Sequence, residues 1–227
     1  MNFTESYDTV KHILLTLFLF QFCVMSAQTI KPMKYLALGD SYTIGESVMQ
    51  AERWPNQLSD SLTKKGWQIE KPAIIATTGW RTDNLKNAIN IANLKPEYDL
   101  VSLLIGVNNQ YQGKSSKEYE LEFEELLKIV IHLAKGKKDN VFVVSIPDYG
   151  FTPFGKPKQA KISSAIDEFN EINARITYKY QIQYFDITEI SRDGLKDATL
   201  VAADGLHPSG KMYSYWVELI AKGLIHN

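Results

Sequence analysis

The sequence predicts an α/β protein built on a doubly wound, five-stranded parallel sheet. Three observations carry that reading. After an apolar leader, short apolar runs alternate with amphipathic stretches to the end of the chain. Two of those runs, beginning at Leu100 and Val141, are apolar almost throughout, as strands buried on both faces are. The 227 residues contain no internal repeat and no low-complexity linker, and are enough for one domain with a substantial core.

Taken in order, the expected strands are 35–38, 73–76, 100–105, 141–146 and 184–187. The first expected helix, 54–65, stops at Gly66, a residue suited to the left-handed C-cap. The second, 82–93, starts at Thr82-Asp83 and ends before Pro96. The third, 115–135, opens with the capping-box spacing of Ser115 and Glu118, and sets Leu121, Leu126, Leu127, Val130, Ile131 and Leu133 at helical intervals. The fourth, 158–180, carries Ile162, Ile166, Phe169, Ile172 and Ile176 on one stripe, and a last helix spans about 209–224.

The leader is a separate matter. Residues 13–24 form an apolar run too short for a comfortable membrane span. Lys11 precedes it, and Ser26-Ala27 supplies small residues for cleavage. Residues 1–27 are therefore expected to be an export signal, leaving 28–227 as a single domain in the periplasm or outside the cell. An uncleaved anchor or a buried helix is the competing reading, and the leader is then the one expected membrane contact. Cys23, the single cysteine, lies inside this segment, so the remaining chain has no thiol for disulfides, catalysis or metal. Net charge is -1, with no basic surplus to favour nucleic acid. The small cluster Lys135-Gly136-Lys137-Lys138 reads as a solvated helix end.

Candidate chemistry sits at strand ends. In open parallel sheets, ligands bind beyond the carboxyl ends of the strands. Ser41 follows the first expected strand, Gly79 the second and Asn108 the third. Near the other end of the chain, Asp204 precedes His207 by three residues, with Gly205 and Pro208 suited to a local turn. A serine hydroxyl needs a base to attack an ester. His207 supplies one, and Asp204 can hold its other ring nitrogen. The N–H groups of Ser41 and Gly79 and the amide of Asn108 are candidate donors to a tetrahedral oxyanion. Ser41 alone could equally cap a turn, Gly79 be a turn glycine and Asn108 a loop asparagine. Their common placement at strand ends argues for the site. A zinc site on His207 lacks a second nitrogen ligand, since His12, His132 and His226 fall in the leader, a helix pattern and the terminus. No metal is expected.

Four stretches carry a family resemblance: Gly39-Asp40-Ser41-Tyr42, Thr77-Thr78-Gly79-Trp80, Gly106-Val107-Asn108-Asn109 and the closing Asp204-Gly205-Leu206-His207. In this order they resemble the SGNH, or GDSL, hydrolase superfamily over about residues 34–226. The resemblance implies a flavodoxin-like three-layer α/β/α sandwich and a serine esterase without metal or organic cofactor. It implies an acyl-enzyme route on small-molecule, lipid or glycan esters. Tyr42 departs from the usual leucine, and Asn109 stands where aspartate is common. No Gly-x-Ser-x-Gly elbow occurs, which argues against the ordinary α/β-hydrolases.

Around these residues, Trp80, Asn109 and Tyr111 are expected to contact substrate. Arg81 is expected either to line the cleft or to pair with Asp83, and Asp40 to brace its loop. The aromatic- and proline-rich segment 148–158 is expected to shape the pocket and partly to pack in the core. Acyl transfer with the same triad, and a non-catalytic binding module, are the alternatives to hydrolysis.

Overall fold

In the computed structural model residues 31–225 are described, and the leader lies outside them. From Pro32 onward the chain packs as one unit. Five strands, β1 (Tyr35–Gly39), β2 (Ala73–Ala76), β3 (Leu100–Leu104), β4 (Val141–Val144) and β5 (Gln183–Phe185), form an all-parallel sheet in the order β2-β1-β3-β4-β5. β1, β3 and β4 are buried along their whole length, which explains their near-continuous apolar sequences. β2 is an edge strand, with Ala73 exposed and Ala76 buried.

Helices cover both faces. α1 (Ser41–Ile44) follows β1 directly. α2 (Trp54–Lys64) packs against the final helix, α8 (Gly210–Ile225), on one face. α3 (Thr82–Ala92), α5 (Ser116–Leu133) and α6 (Gln159–Lys179) cover the other, and the short α4 (Val107–Tyr111) and α7 (Thr188–Ser191) sit at strand ends. The Ser115 hydroxyl accepts from the Glu118 N–H at 3.1 Å, one half of the expected capping box, while Glu118 turns its carboxylate to Lys114.

On α5 the expected stripe needs a correction. Leu121 is 62% exposed; Tyr119 and Phe123 take the inner face with Leu126, Leu127, Val130 and Leu133. Tyr119 stacks on Phe169 of α6 and donates its hydroxyl to the Ile105 carbonyl, contacts that a leucine could not make. The stripe on α6 is buried as expected.

The sheet order sets the position of the functional residues. The chain leaves β1 toward β2 on one side, then returns to place β3 on the other, so the switch point lies between β1 and β3. Gly39 pairs in register with Ala76 of β2 and Leu104 of β3. Three strands thus end level, and the segments after them open onto one crevice.

Candidate active site

Ser41 is the first residue of α1, where N–H groups lack intrahelical partners. Its N-cap, Asp40, is completely buried and accepts from the Tyr42 N–H at 3.1 Å. This matches the expected bracing role. Tyr42 turns inward and packs edge-on against His207 and Trp216, with ring centroids 5.8 and 6.5 Å apart. It therefore forms a wall behind the serine.

After β2, the Trp80 N–H bonds back to the Thr77 carbonyl, closing a turn with Gly79 at φ 84°. That left-handed value favours glycine, and a Cβ there would meet nothing within 4 Å, so Gly79 serves backbone conformation and open approach rather than packing. After β3, Gly106 at φ 133° caps α4; a Cβ here would lie 2.5 Å from the Tyr119 hydroxyl. Asn108 follows on the first turn and donates one amide hydrogen to the Trp80 carbonyl at 2.9 Å. An amide has two hydrogens, so this bond orients the second without consuming it.

The fourth piece is a tight loop. The Ala202 N–H bonds to the His207 carbonyl, and Gly205, at φ 72°, donates back to Ala202. Asp204 Oδ1 accepts from the N–H groups of Leu206 and His207, each at 2.9 Å, and its Oδ2 lies 2.6 Å from His207 Nδ1. Burial works to raise the Asp204 carboxyl, but hydrogen bonds from Ser47, His207 and the backbone outweigh it and hold the group well below the usual carboxylate range. Asp204 is thus ionised beside the imidazole, and Nε2 is the ring nitrogen that the carboxylate does not engage.

Ser41, Gly79, Asn108 and His207 line one cavity of about 270 Å³, together with Tyr42, Thr78, Val107, Tyr111, Tyr149, Phe154 and Leu206. Among the described residues no hydrogen bond joins the Ser41 hydroxyl to the imidazole. Such contacts are often long without substrate and tighten in the complex.

Two of the expected substrate contacts need correction. Asn109 is 1% exposed and does not reach the cavity. It accepts from the Thr82 N–H and donates to the Thr82 hydroxyl, and Glu122 lies 3.4 Å from its amide nitrogen. An aspartate here would face the Glu122 carboxylate, whereas asparagine supplies donors. The Trp80 side chain packs against the core, and only its carbonyl serves the site, through Asn108. Tyr111 lines the cavity: it is 60% exposed and its ring stands near those of Tyr149 and Phe154, with centroids 6.2 and 6.3 Å away. Arg81 pairs with Asp83 at 2.7 Å and bonds to Gln112, so it braces the Gly79 turn, to whose carbonyl Gln112 also donates. The 148–158 loop divides its aromatics: Tyr149 and Phe154 line the cavity, and Phe151 lies under the Arg192 guanidinium. Thr78, Val107 and Leu206 were not singled out from the sequence, although each adjoins a motif residue. Among the described residues no cluster of three or more His, Cys, Asp or Glu could hold a metal.

The family description GDSL-like lipase/acylhydrolase matches residues 37–215. The chain is therefore, by class, a carboxylic ester hydrolase. It belongs to the GDSL-like lipase/acylhydrolase family. Among solved structures, it is similar to a lipolytic G-D-S-L family protein from Veillonella parvula DSM 2008: 18% identity, 84% of this chain and 97% of that chain covered, TM-score 0.63. The acetylxylan esterase Axe2 from Geobacillus stearothermophilus aligns at 17% identity over 86% of this chain and 94% of its own, with TM-score 0.66. The psychrotrophic esterase EstA from Pseudoalteromonas sp., solved inhibited by monoethylphosphonate, aligns at 16% identity over 86% and 99%, with TM-score 0.62. At these identities the likeness shows the shared fold. Among curated protein sequences none matches the chain.

Proposed function

We propose that the enzyme hydrolyses short-chain carboxylic esters through an acyl-enzyme on Ser41. The single observation that supports this most is the sharing of one cavity by Ser41, Gly79, Asn108 and His207, with His207 Nδ1 anchored on Asp204. In this reading Ser41 Oγ attacks the ester carbonyl carbon while His207 Nε2 takes its proton. The C–O bond to the alcohol then breaks, and the imidazolium returns the proton to the departing oxygen. Water, deprotonated by the same nitrogen, attacks the acyl carbon and frees the acid and Ser41. The N–H groups of Ser41 and Gly79 and the second amide hydrogen of Asn108 receive the oxyanion.

The cavity of about 270 Å³ is walled by Val107, Tyr111, Tyr149, Phe154 and Leu206, which suits a compact acyl or aryl group better than a long chain. The alcohol is a small molecule, a lipid or a glycan. Export through residues 1–27 is part of the same proposal and rests on the apolar run and its small-residue end. Cell fractionation with N-terminal sequencing of the recovered protein tests it, and an intact leader on cytosolic protein defeats it.

Turnover of p-nitrophenyl esters from acetate to palmitate is the direct test of the chemistry. The expected result is highest kcat/KM on the shortest esters. Ser41→Ala and His207→Ala should each lower kcat by roughly four orders or more, because such residues act as a unit. Asn108→Ala should cost about two to three orders with the fold intact. Near-normal turnover by Ser41→Ala sinks the mechanism, and a preference for palmitate sinks the short-chain assignment.

A further inference from the structure

Ser47, a donor to the Asp204 carboxylate, lies in the turn after α1. Its φ is 64°, a left-handed backbone that glycine adopts freely and serine does not. Its hydroxyl donates to Asp204 Oδ2 at 2.6 Å, across 157 residues of sequence. The same carboxylate oxygen meets His207 Nδ1 at 2.6 Å. The other oxygen is occupied by the N–H groups of Leu206 and His207. Asp204 is thus held on both of its oxygens, and Ser47 alone among these donors comes from the segment that carries Ser41.

A strained backbone persists where surrounding contacts over-determine it, and such positions concentrate at functional sites. A glycine at 47 would relieve the strain but forfeit the hydroxyl. We propose that Ser47 is a positioning residue: its hydroxyl clamps the Asp204 carboxylate against His207 and ties the histidine loop to the Ser41 segment. This rests on the Ser41–His207–Asp204 reading. Ser47 does not line the cavity, so its effect passes through Asp204 to the imidazole and falls on the chemical step rather than on substrate binding. Ser47 is exposed. Water can replace its hydrogen bond to the carboxylate, but water cannot link the two segments.

The test compares wild type, Ser47→Gly and Ser47→Asn, each also in an Asp204→Asn background, with p-nitrophenyl acetate as substrate. Ser47→Gly should lower kcat about tenfold, as expected for loss of one hydrogen bond to a charged group, with KM within about twofold. Its melting temperature should stay within a few degrees of wild type, because relief of the left-handed strain offsets the lost hydrogen bond. Ser47→Asn keeps an N–H donor and tolerates the left-handed region, so it should recover part of the loss. In the Asp204→Asn background, Ser47→Gly should change kcat by less than about twofold, since the partner through which it acts has already been altered. An unchanged kcat for Ser47→Gly, an equal loss in both backgrounds, or an activity loss matched by the fraction of protein unfolded at assay temperature would each overturn the clamp. Ser41→Ala run in parallel separates the two claims. An inactive Ser41→Ala beside an unaffected Ser47→Gly removes the clamp alone, whereas an active Ser41→Ala removes the triad and the clamp with it.

Discussion

Asp40 is held at a cost. It is completely buried, and its Oδ2 has no hydrogen-bond partner. Burial raises its carboxyl from the ordinary 3.8 to about 7, against the opposing Tyr42 N–H. The folded protein therefore retains a proton that the unfolded chain releases near pH 4. The resulting stabilisation is full below about pH 4 and is lost as pH rises through about 7. Asp40→Asn keeps the acceptor for Tyr42 and removes this titration. Thermal melts should show wild type losing stability between about pH 4 and about pH 7, with Asp40→Asn flatter and at least as stable at the upper end. Parallel profiles for the two proteins would refute the assignment. At this scale the sequence was informative where a residue type has few uses: Ser41 and His207, singled out for the chemistry they could share, line one cavity, and Asp204 meets His207. Asn109 was not, because adjacency to Asn108 says nothing about direction, and on α4 the two side chains point to different surroundings. Ser47 was not either. A left-handed serine carries no mark in the sequence, and its partner is 157 residues away.

Among the elements, the loop after β4 decides the shape of the cavity. Asp148 is buried, accepts from the Gly150 N–H at 2.9 Å, and pairs with Arg192 Nε at 3.0 Å. Arg192 also reaches Asp167 and Glu189, so one guanidinium joins α6, α7 and the loop that presents Tyr149 and Phe154. Removing one partner of a buried pair strands the other charge, so Arg192→Ala should cost about 3 kcal/mol in urea melts. KM for aryl esters should rise more than kcat falls, as the aromatic wall loosens. A loss below about 0.5 kcal/mol would show that the exposed partners, not Asp148, set the worth of this network. Helix and strand positions were legible from period and caps, and their ends moved by only a residue or two. On α5 the apolar count favoured Leu121, yet bulk decided otherwise: Tyr119 and Phe123 fill the space against α6, and the leucine stays outside.

For the whole molecule, topology is what turns scattered residues into a site. β1, β2 and β3 end level in register, so Ser41, Gly79 and Asn108 leave the sheet at one edge, and α8 returns the chain so that the preceding loop brings His207 to them. Alternation of strands and helices made the parallel sheet legible, and the strand-end rule then located the crevice. The sequence did not reveal which side chains form its walls, since that depends on loop conformations fixed by contacts such as Phe154 N–H to the Gly205 carbonyl. In the proposed mechanism these distant residues together activate one hydroxyl. The most direct measurement of that activation is peptide mass mapping after reaction with a fluorophosphonate, in wild type and in His207→Ala. A single adduct on Ser41 is expected in wild type, formed at least about a hundredfold more slowly in His207→Ala. An adduct on a different serine, or an unlabelled Ser41 in protein that still hydrolyses esters, would contradict it.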